Sequence, residues 1–592
     1  MEIRGHIVDV LDRRIYDGAI EVEEGKISCI RPEELPLDAP YILPGFIDAH
    51  VHIESTLLMP ENYARVAASK GVLAVVADPH EIANVSGLDG IRFMIENGKK
   101  VNFHFNFCAP SCVPCTGFET SGATIDHNDI ASLLESGDIC ALAEFMNAFG
   151  VITKDKECLA KLEAARKAGK PVDGHAPGLN GQDLLEYASA GISTDHECVS
   201  MEEALERINA GMKEIIREGS AACDFEALSP LLADHSNELM FCSDDKYPDE
   251  LMDGYINEMV RRSVAKSYPL WNVLNAACVT PVRHYNLKHG LLKQCQGADF
   301  IMVDNLENFN VLSTYINGEQ VYSGNICGPC CKESRISEKG QDFPNAFRAE
   351  KITEKDIQVL LDENDPDSKE VQGNTDVHMK VITAEDLSIR TGIMTVVPKV
   401  ECGKVMSDIK KDILKMVVYS RYGNGRPQVA FIHGFKLKDG AMASTIAHDS
   451  HNIVAVGTND NDIVKAINRL VELKGGMIVC NGNESAELAL PVAGLMSDLD
   501  CNTVAQKYKY LKERVRLLGC EFSAAFMTLS FMCLPVIPEL KLTDKGLFNA
   551  NEFSFTGLFE KDGNEEKKIL NYRCGIRKNI NKFELLKITL KN

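Results

Sequence analysis

From about residue 45 to residue 285, short apolar runs that end in polar residues alternate with stretches of helical periodicity. Apolar runs of this length read as buried strands, and apolar positions three and four apart read as helices packed on them. Eight strands are predicted. One ends at Phe46-Ile47-Asp48, and the others are Val72–Ala77, Val101–Phe107, Ile139–Ala143, Pro171–Asp173, Gly191–Thr194, Ser220–Cys223 and Leu239–Cys242. Between them, CLAKLEAARKAGK and MEEALERINAGMK carry helical patterns. Eight βα units in roughly 240 residues match a (β/α)8 TIM-like barrel, an α/β fold that keeps its chemistry at the C-terminal ends of the strands.

The flanks have a different texture. Residues 1–44 read as short strands, with IEVEEGKISCI forming two of them about a Glu-Gly turn. Residues 288–330 return to β texture in HGLLKQCQGADFIMVDN and TYINGEQVYSG, and are expected to pair with 1–44 in a small β domain beside the barrel at 45–287. The polar stretch 331–345 reads as a linker. Residues 346–592 read as a C-terminal α/β domain, with a helix from Asp462 to Lys474 and a strand at Met477–Val479. From Lys567 onward the chain has eight Lys or Arg and one acid, a basic tail that reads as a solvated terminal segment.

Charge and composition narrow the function classes. The 592-residue chain has 63 Lys+Arg against 86 Asp+Glu, a net charge of −23. Such a balance argues against nucleic acid and anionic membrane as partners. No apolar run approaches the roughly 18 residues of a membrane span. The N-terminal MEIRGHIVDVLDRR has acids and arginines where a secretion signal needs an apolar core, so the expected location is cytoplasmic. The 20 cysteines are accordingly read as reduced thiols.

The strongest chemical signal is Asp48-Ala49-His50-Val51-His52 at the end of the first strand. Alternate residues of a strand face the same way, so His50 and His52 can point at one metal ion. Other predicted strand ends hold Glu144 in ALAEFMNAFG, His175 in VDGHAPGL, His196 in STDHEC and Asp244 in FCSDDK. Four histidines and two carboxylates can hold two divalent ions with a bridging carboxylate. Two other motifs carry less. Cys327-Gly328-Pro329-Cys330 imitates a redox motif but follows a hairpin and leads into a polar stretch, not into the βαβ context that chemistry needs. His52-Ile53-Glu54 with Cys112 and Cys115 imitates the zinc signature of cytidine deaminases at the wrong spacing.

The pattern of strand-end ligands resembles the amidohydrolase superfamily of metal-dependent hydrolases. The segments LPGFIDAHVHIESTLLMPENYARV, VVADPHEIANVSG, DGHAPGL, STIAHDSHNIVAVGTND, LPVAGLMSD and LPVIPELKLTDKGLF look more closely like the bacterial-type adenine deaminase family, from the first residues to about Phe548. That resemblance implies hydrolysis of adenine to hypoxanthine and ammonia, two Mn²⁺ (or Fe²⁺) ions per subunit, and a homodimer. It implies that His50, His52, His175 and His196 hold the metal pair. Glu144 would bridge, where many relatives carry a carboxylated lysine, and Asp244 would bind one ion and move protons. Adenine is uncharged, so hydrogen bonds and stacking should recognise it; the candidates are His80, Glu81, Glu119 and Ser111. His448 and His451, in AHDSH, either reach into the site, bind another metal or pack the C-terminal domain onto the barrel. The competing reading is an amidohydrolase acting on a cyclic amide. An anionic ring would call for a cation at a barrel loop; the first five loops offer Arg65 and Lys154, neither at a strand end.

Overall fold

The computed structural model describes residues 1–324, 343–360, 377–423 and 425–561. Cys327 and Cys330, residues 331–342 of the polar stretch and the basic tail lie outside the described residues.

Eight parallel strands form the barrel: Phe46–Val51, Val72–Ala77, His104–Ala109, Ile139–Phe145, Val172–Gly174, Thr194–Asp195, Lys213–Arg217 and Leu239–Cys242. They pair in chain order. A bridge between Val172 and Ile192 joins the fifth strand to the sixth, and one between Val51 and Asp244 closes the eighth onto the first. The first, second and eighth strands are buried along their whole length, as a sheet covered on both faces requires.

The seventh strand is not where the periodicity put it. The helix Met201–Asn209 stops at Ala210, and Gly211 turns the chain with φ 87°. Lys213–Arg217 is then the strand. A helical reading carried through Gly211 to Lys213 consumed its start and displaced it to Ser220–Cys223. Those residues instead form the loop above the strand, where the Ser220 amide donates to the Asp245 carbonyl (2.8 Å). The third strand begins at His104, three residues later than expected. The sixth is shorter than expected, because Gly191 (φ 102°) belongs to the turn before it.

Beside the barrel lies a seven-stranded sheet built from both flanks. Tyr41–Pro44 runs antiparallel to Phe300–Val303, and this seam joins the N-terminal strands to those after the barrel. Glu24 (φ 49°) and Gly25 (φ 78°) make the tight turn between Arg14–Glu23 and Lys26–Pro32.

The C-terminal region is organised on a nine-stranded sheet. Its pairing is antiparallel except between Val377–Thr383 and Gln428–His433. The helix Asp460–Leu473 packs on the sheet through Ile463, Ala466, Ile467 and Leu470, whose spacing places them on one face. The Asn459 side chain caps its start by accepting from the Asp462 amide, and Lys474 in the left-handed region (φ 56°) ends it. No helix of the described residues is long and apolar enough to cross a membrane.

This region sits over the barrel mouth through many polar ties. Ser497 N donates to Leu57 O (2.9 Å), and Asn62 Nδ2 donates to Leu499 O (3.0 Å). The loop after barrel strand three is gripped most firmly. Thr543 Oγ1 donates to Phe118 O (2.9 Å), Lys545 Nζ to the carbonyls of Gly117 and Glu119 (3.0 Å each), and Ser450 Oγ to Glu119 Oε2 (2.7 Å). The Phe118 ring packs against Phe548, its centroid 4.7 Å away. Burial, with the charge of Asp449 nearby, pushes the Glu119 carboxyl up to about 8. An unfolded glutamate releases its proton near 4.3, so from there to about 8 the unfolded state binds fewer protons than the folded state. Stability through this group therefore falls as pH rises across that window. Glu119→Gln should gain thermal stability relative to wild type between pH 5 and pH 8, by about 2 °C or more in melting temperature. Melting curves at the two pH values check this; a constant difference would contradict it.

Candidate active site

The six strand-end residues converge at the barrel mouth, each no more than 8 % exposed. His50 and His52 leave the first strand on the same side, with their Nε2 atoms 3.2 Å apart. Glu144 stands between two groups. Its Oε1 lies 3.2 Å from His52 Nε2 and 3.7 Å from His50 Nε2, and its Oε2 lies 2.9 Å from His175 Nδ1 and 3.4 Å from His196 Nε2. Asp244 joins the first group, its Oδ1 3.1 Å from His52 Nε2 and 3.5 Å from His50 Nε2.

The backbone that presents these groups is pinned by buried aspartates just before them. Asp48 accepts from the His50 amide (3.2 Å) and from the hydroxyls of Ser243 and Tyr255, tying strand one to strand eight. Asp173 accepts from Thr194 Oγ1 (2.8 Å) and Tyr285 (2.9 Å). Asp195 accepts from the amides of Ala176 (3.1 Å) and His196 (3.0 Å) and from Arg207 Nε (2.9 Å). His52 Nδ1 lies 3.1 Å from the Asp78 carbonyl. A carbonyl only accepts, so Nδ1 carries the proton and Nε2 presents its lone pair to the centre. Asp244 itself takes φ 52°, the left-handed region, where the chain turns its carboxylate back over the barrel.

Burial opposes charge on Glu144, yet His175, His196 and His52 beside it hold its carboxyl well below the usual range. Burial likewise opposes charge on Asp244, and His50, His52 and Arg217 hold it well below the usual range. The donor set fits divalent metal. Neither ring nitrogen of His175 has a hydrogen-bond partner, although Glu144 Oε2 is 2.9 Å from Nδ1. Imidazoles and carboxylates aimed into one space without bonding each other are costly when buried, and a cation between them satisfies both. The sets His50–His196–Asp244 and Glu144–His175–His196 each bring one donor atom per residue within 4.8 Å of one another.

Of the expected substrate-binding residues, His80 and Glu81 line the same pocket. His80 Nδ1 pairs with Asp78 Oδ2 (2.9 Å) and lies 3.5 Å from Glu144 Oε1. Ser111 and Glu119 do not line it. Ser111 Oγ donates to the Glu144 carbonyl, and Glu119 sits in the contact with the C-terminal region described above. Cys115 donates to Glu119 (3.2 Å), while Cys112 lies beside Ser111 (3.1 Å). His448 and His451 reach Glu81 from the C-terminal region; His448 Nδ1 is 2.9 Å from Oε1, and His451 meets Oε2.

The pocket also holds residues that the sequence reading passed over. Arg217 ends the seventh strand, so misplacing that strand hid it. It donates to Asp244 Oδ2 (3.0 Å) and Asp224 Oδ2 (3.0 Å) and pairs with Glu197. The β-branched pair Ile215-Ile216 after the turn at Gly211, ended by a polar Arg217, is the signal that finds it. Ile389, Met527, Phe531, Leu534 and Ile537 close the pocket with an apolar wall from the C-terminal region. Only long-range packing brings them there.

Comparison with known proteins agrees with this division of the chain. Residues 41–321 match the Amidohydrolase family model, and residues 388–554 match that of the Adenine deaminase C-terminal domain. The adenine deaminase of Methanosarcina mazei is 48 % identical over 562 residues, covering 94 % of this chain and 99 % of the relative. That of Salinibacter ruber is 45 % identical over 559 residues, covering 94 % and 98 %. That of Borreliella burgdorferi is 41 % identical over 564 residues, covering 94 % and 99 %. With its strand-end histidines and carboxylates, its pocket wall from a second region and this similarity along nearly its whole length, the chain belongs to the adenine deaminase family of amidohydrolases.

Proposed function

We propose that this protein hydrolyses adenine to hypoxanthine and ammonia. The observation that carries the reading is the division of Glu144, one oxygen toward His50, His52 and Asp244, the other toward His175 and His196. His50, His52, Glu144, His175, His196 and Asp244 would hold two divalent ions there, shared through Glu144. A donor set of imidazoles and carboxylates without thiolate suits manganese or ferrous iron. When bound, such a pair lowers the pKa of water enough to supply hydroxide near neutral pH.

The chain's own residues do the rest. Asp244 accepts the proton given up as water adds to C6, and returns it to the exocyclic amine, which leaves as ammonia. Arg217 holds the other oxygen of Asp244 at 3.0 Å, fixing the carboxylate for that transfer. The apolar wall of Met527, Phe531, Leu534 and Ile537 suits a flat, uncharged ring and excludes water from the reacting face. Arg217 is the one Lys or Arg among the described residues that line the pocket, and three carboxylates occupy it. No free cation is therefore offered to an anionic cyclic amide, which favours the neutral purine. The family resemblance supports a homodimer.

Ammonia release by the Mn²⁺-loaded protein from adenine, with adenosine as the parallel substrate, tests the reading. Release from adenine alone is expected; release from neither, with metal bound, would overturn it. His175→Ala should lose metal and turnover together, as read by elemental analysis and the ammonia assay. Asp244→Asn should lower kcat by about 10²- to 10⁴-fold while retaining some metal, because the proton transfer goes first. Full turnover in Asp244→Asn would remove it from that role.

A further inference from the structure

Six carboxylates face the pocket: Glu81, Glu144, Glu197, Asp244, Asp245 and Asp449. Five of them are engaged. Glu144 and Asp244 face the histidines, Glu197 pairs with Arg217, and Asp245 accepts from Ser55. Glu81 faces His448 and His451, its Oε1 2.9 Å from His448 Nδ1, while its Oε2 has no hydrogen-bond partner. Asp449 is different. It is 3 % exposed, and its Oδ2 is buried without a hydrogen-bond partner. Its Oδ1 is 3.9 Å from His448 Nδ1, beyond hydrogen-bond reach. A buried acceptor left unpaired costs about 1–3 kcal/mol, and more when charged. A site tolerates that cost where a ligand supplies the missing donor.

The carboxylate is also held in place. His451 is fully buried, with φ 54°, and its amide donates to the Ala447 carbonyl (2.7 Å). Arg421 Nη1 donates to the His451 carbonyl (3.1 Å), and Tyr422 donates to the Ser450 carbonyl (2.6 Å). The His448 ring stacks on Phe531, its centroid 4.6 Å away, and both histidines bracket Glu81 at the end of barrel strand two. The backbone on either side of Asp449 is therefore anchored.

Resting on the proposed reaction, we infer that Asp449 is the specificity residue that accepts a hydrogen bond from the imidazole-ring N–H of the free purine base. The leaving amine of adenine faces the ligands on the barrel floor. The five-membered ring then points to the wall that the C-terminal region supplies, where Asp449 stands. A free base carries an N–H on that ring. A nucleoside, or a 9-alkylated base, carries carbon at N9 and leaves the carboxylate unpaired. Sites built around such a hydrogen bond reject analogues that lack the donor by about 10⁴-fold or more. His448 and His451 are positioning residues here: both bracket Glu81 and anchor the segment that carries Asp449.

The test compares kcat/KM for adenine and 9-methyladenine in the Mn²⁺-loaded wild type, Asp449→Ala and Asp449→Asn, with metal content measured on each. Wild type should prefer adenine by about 10⁴-fold. Asp449→Ala should lower kcat/KM for adenine by about 10²-fold or more, mostly in KM, and leave 9-methyladenine unchanged or improved. The preference then collapses at unchanged metal content. Asp449→Asn keeps the side chain's size and one acceptor oxygen, and should retain part of the preference. The inference is overturned if wild type does not discriminate, or if both variants keep the wild-type ratio. Loss of metal in both variants also overturns it, in favour of a structural role. Wild-type protein that acts on neither base overturns the underlying reaction, and the inference with it.

Discussion

One carboxylate organises this molecule. Glu144 is buried, ionised against the penalty of burial, and shared between two sets of histidines by its two oxygens. A buried carboxylate persists only where cations or hydrogen bonds surround it. The barrel supplies that surrounding by ending its first, fifth, sixth and eighth strands in histidines and an aspartate directed at one point. Closure is therefore part of the site: the His52 amide donates to the Asp244 carbonyl (3.3 Å), and the Asp244 amide to the His50 carbonyl (3.0 Å). The same two hydrogen bonds join strand eight to strand one and set three of the ligands.

The aspartates beneath the ligands do quieter work. Asp48, Asp173 and Asp195 each sit one or two residues before a pocket histidine and bind backbone or hydroxyl groups of a neighbouring strand. They convert a flexible strand end into a fixed one. Arg207, fully buried, neutralises Asp195 and also donates to the Ala176 carbonyl (2.8 Å) beside His175. Ligand spacing thus depends on contacts that never reach substrate. The C-terminal region then covers the mouth, adding an apolar wall and, through His448 and His451, a grip on Glu81.

Much of this was legible in the sequence because its signals are local. Strand ends announce themselves where an apolar run meets a polar residue, and His50 and His52 share a side by strand alternation alone. The strands Val72–Ala77 and Leu239–Cys242 have the bounds that their apolar runs gave. The helical spacing of MEEALERINAGMK runs on through Gly211 and masks the seventh strand, and Arg217 with it. Ser111 and Glu119 follow strand three as binding residues do in barrels. Ser111 instead donates to the Glu144 carbonyl, and Gly117–Glu119 are held by Thr543 and Lys545, a contact more than 400 residues distant in the chain. The pocket wall at Met527–Ile537 is apolar, and only tertiary packing decides that it faces the barrel.

The proposed reaction requires Glu144 to bridge two ions. Anomalous X-ray scattering from crystals of the Mn²⁺-loaded protein tests it most directly. The account predicts two manganese peaks, one beside each oxygen of Glu144, with His50, His52 and Asp244 around one and His175 and His196 around the other. A single peak, or two peaks of which only one touches Glu144, would contradict it.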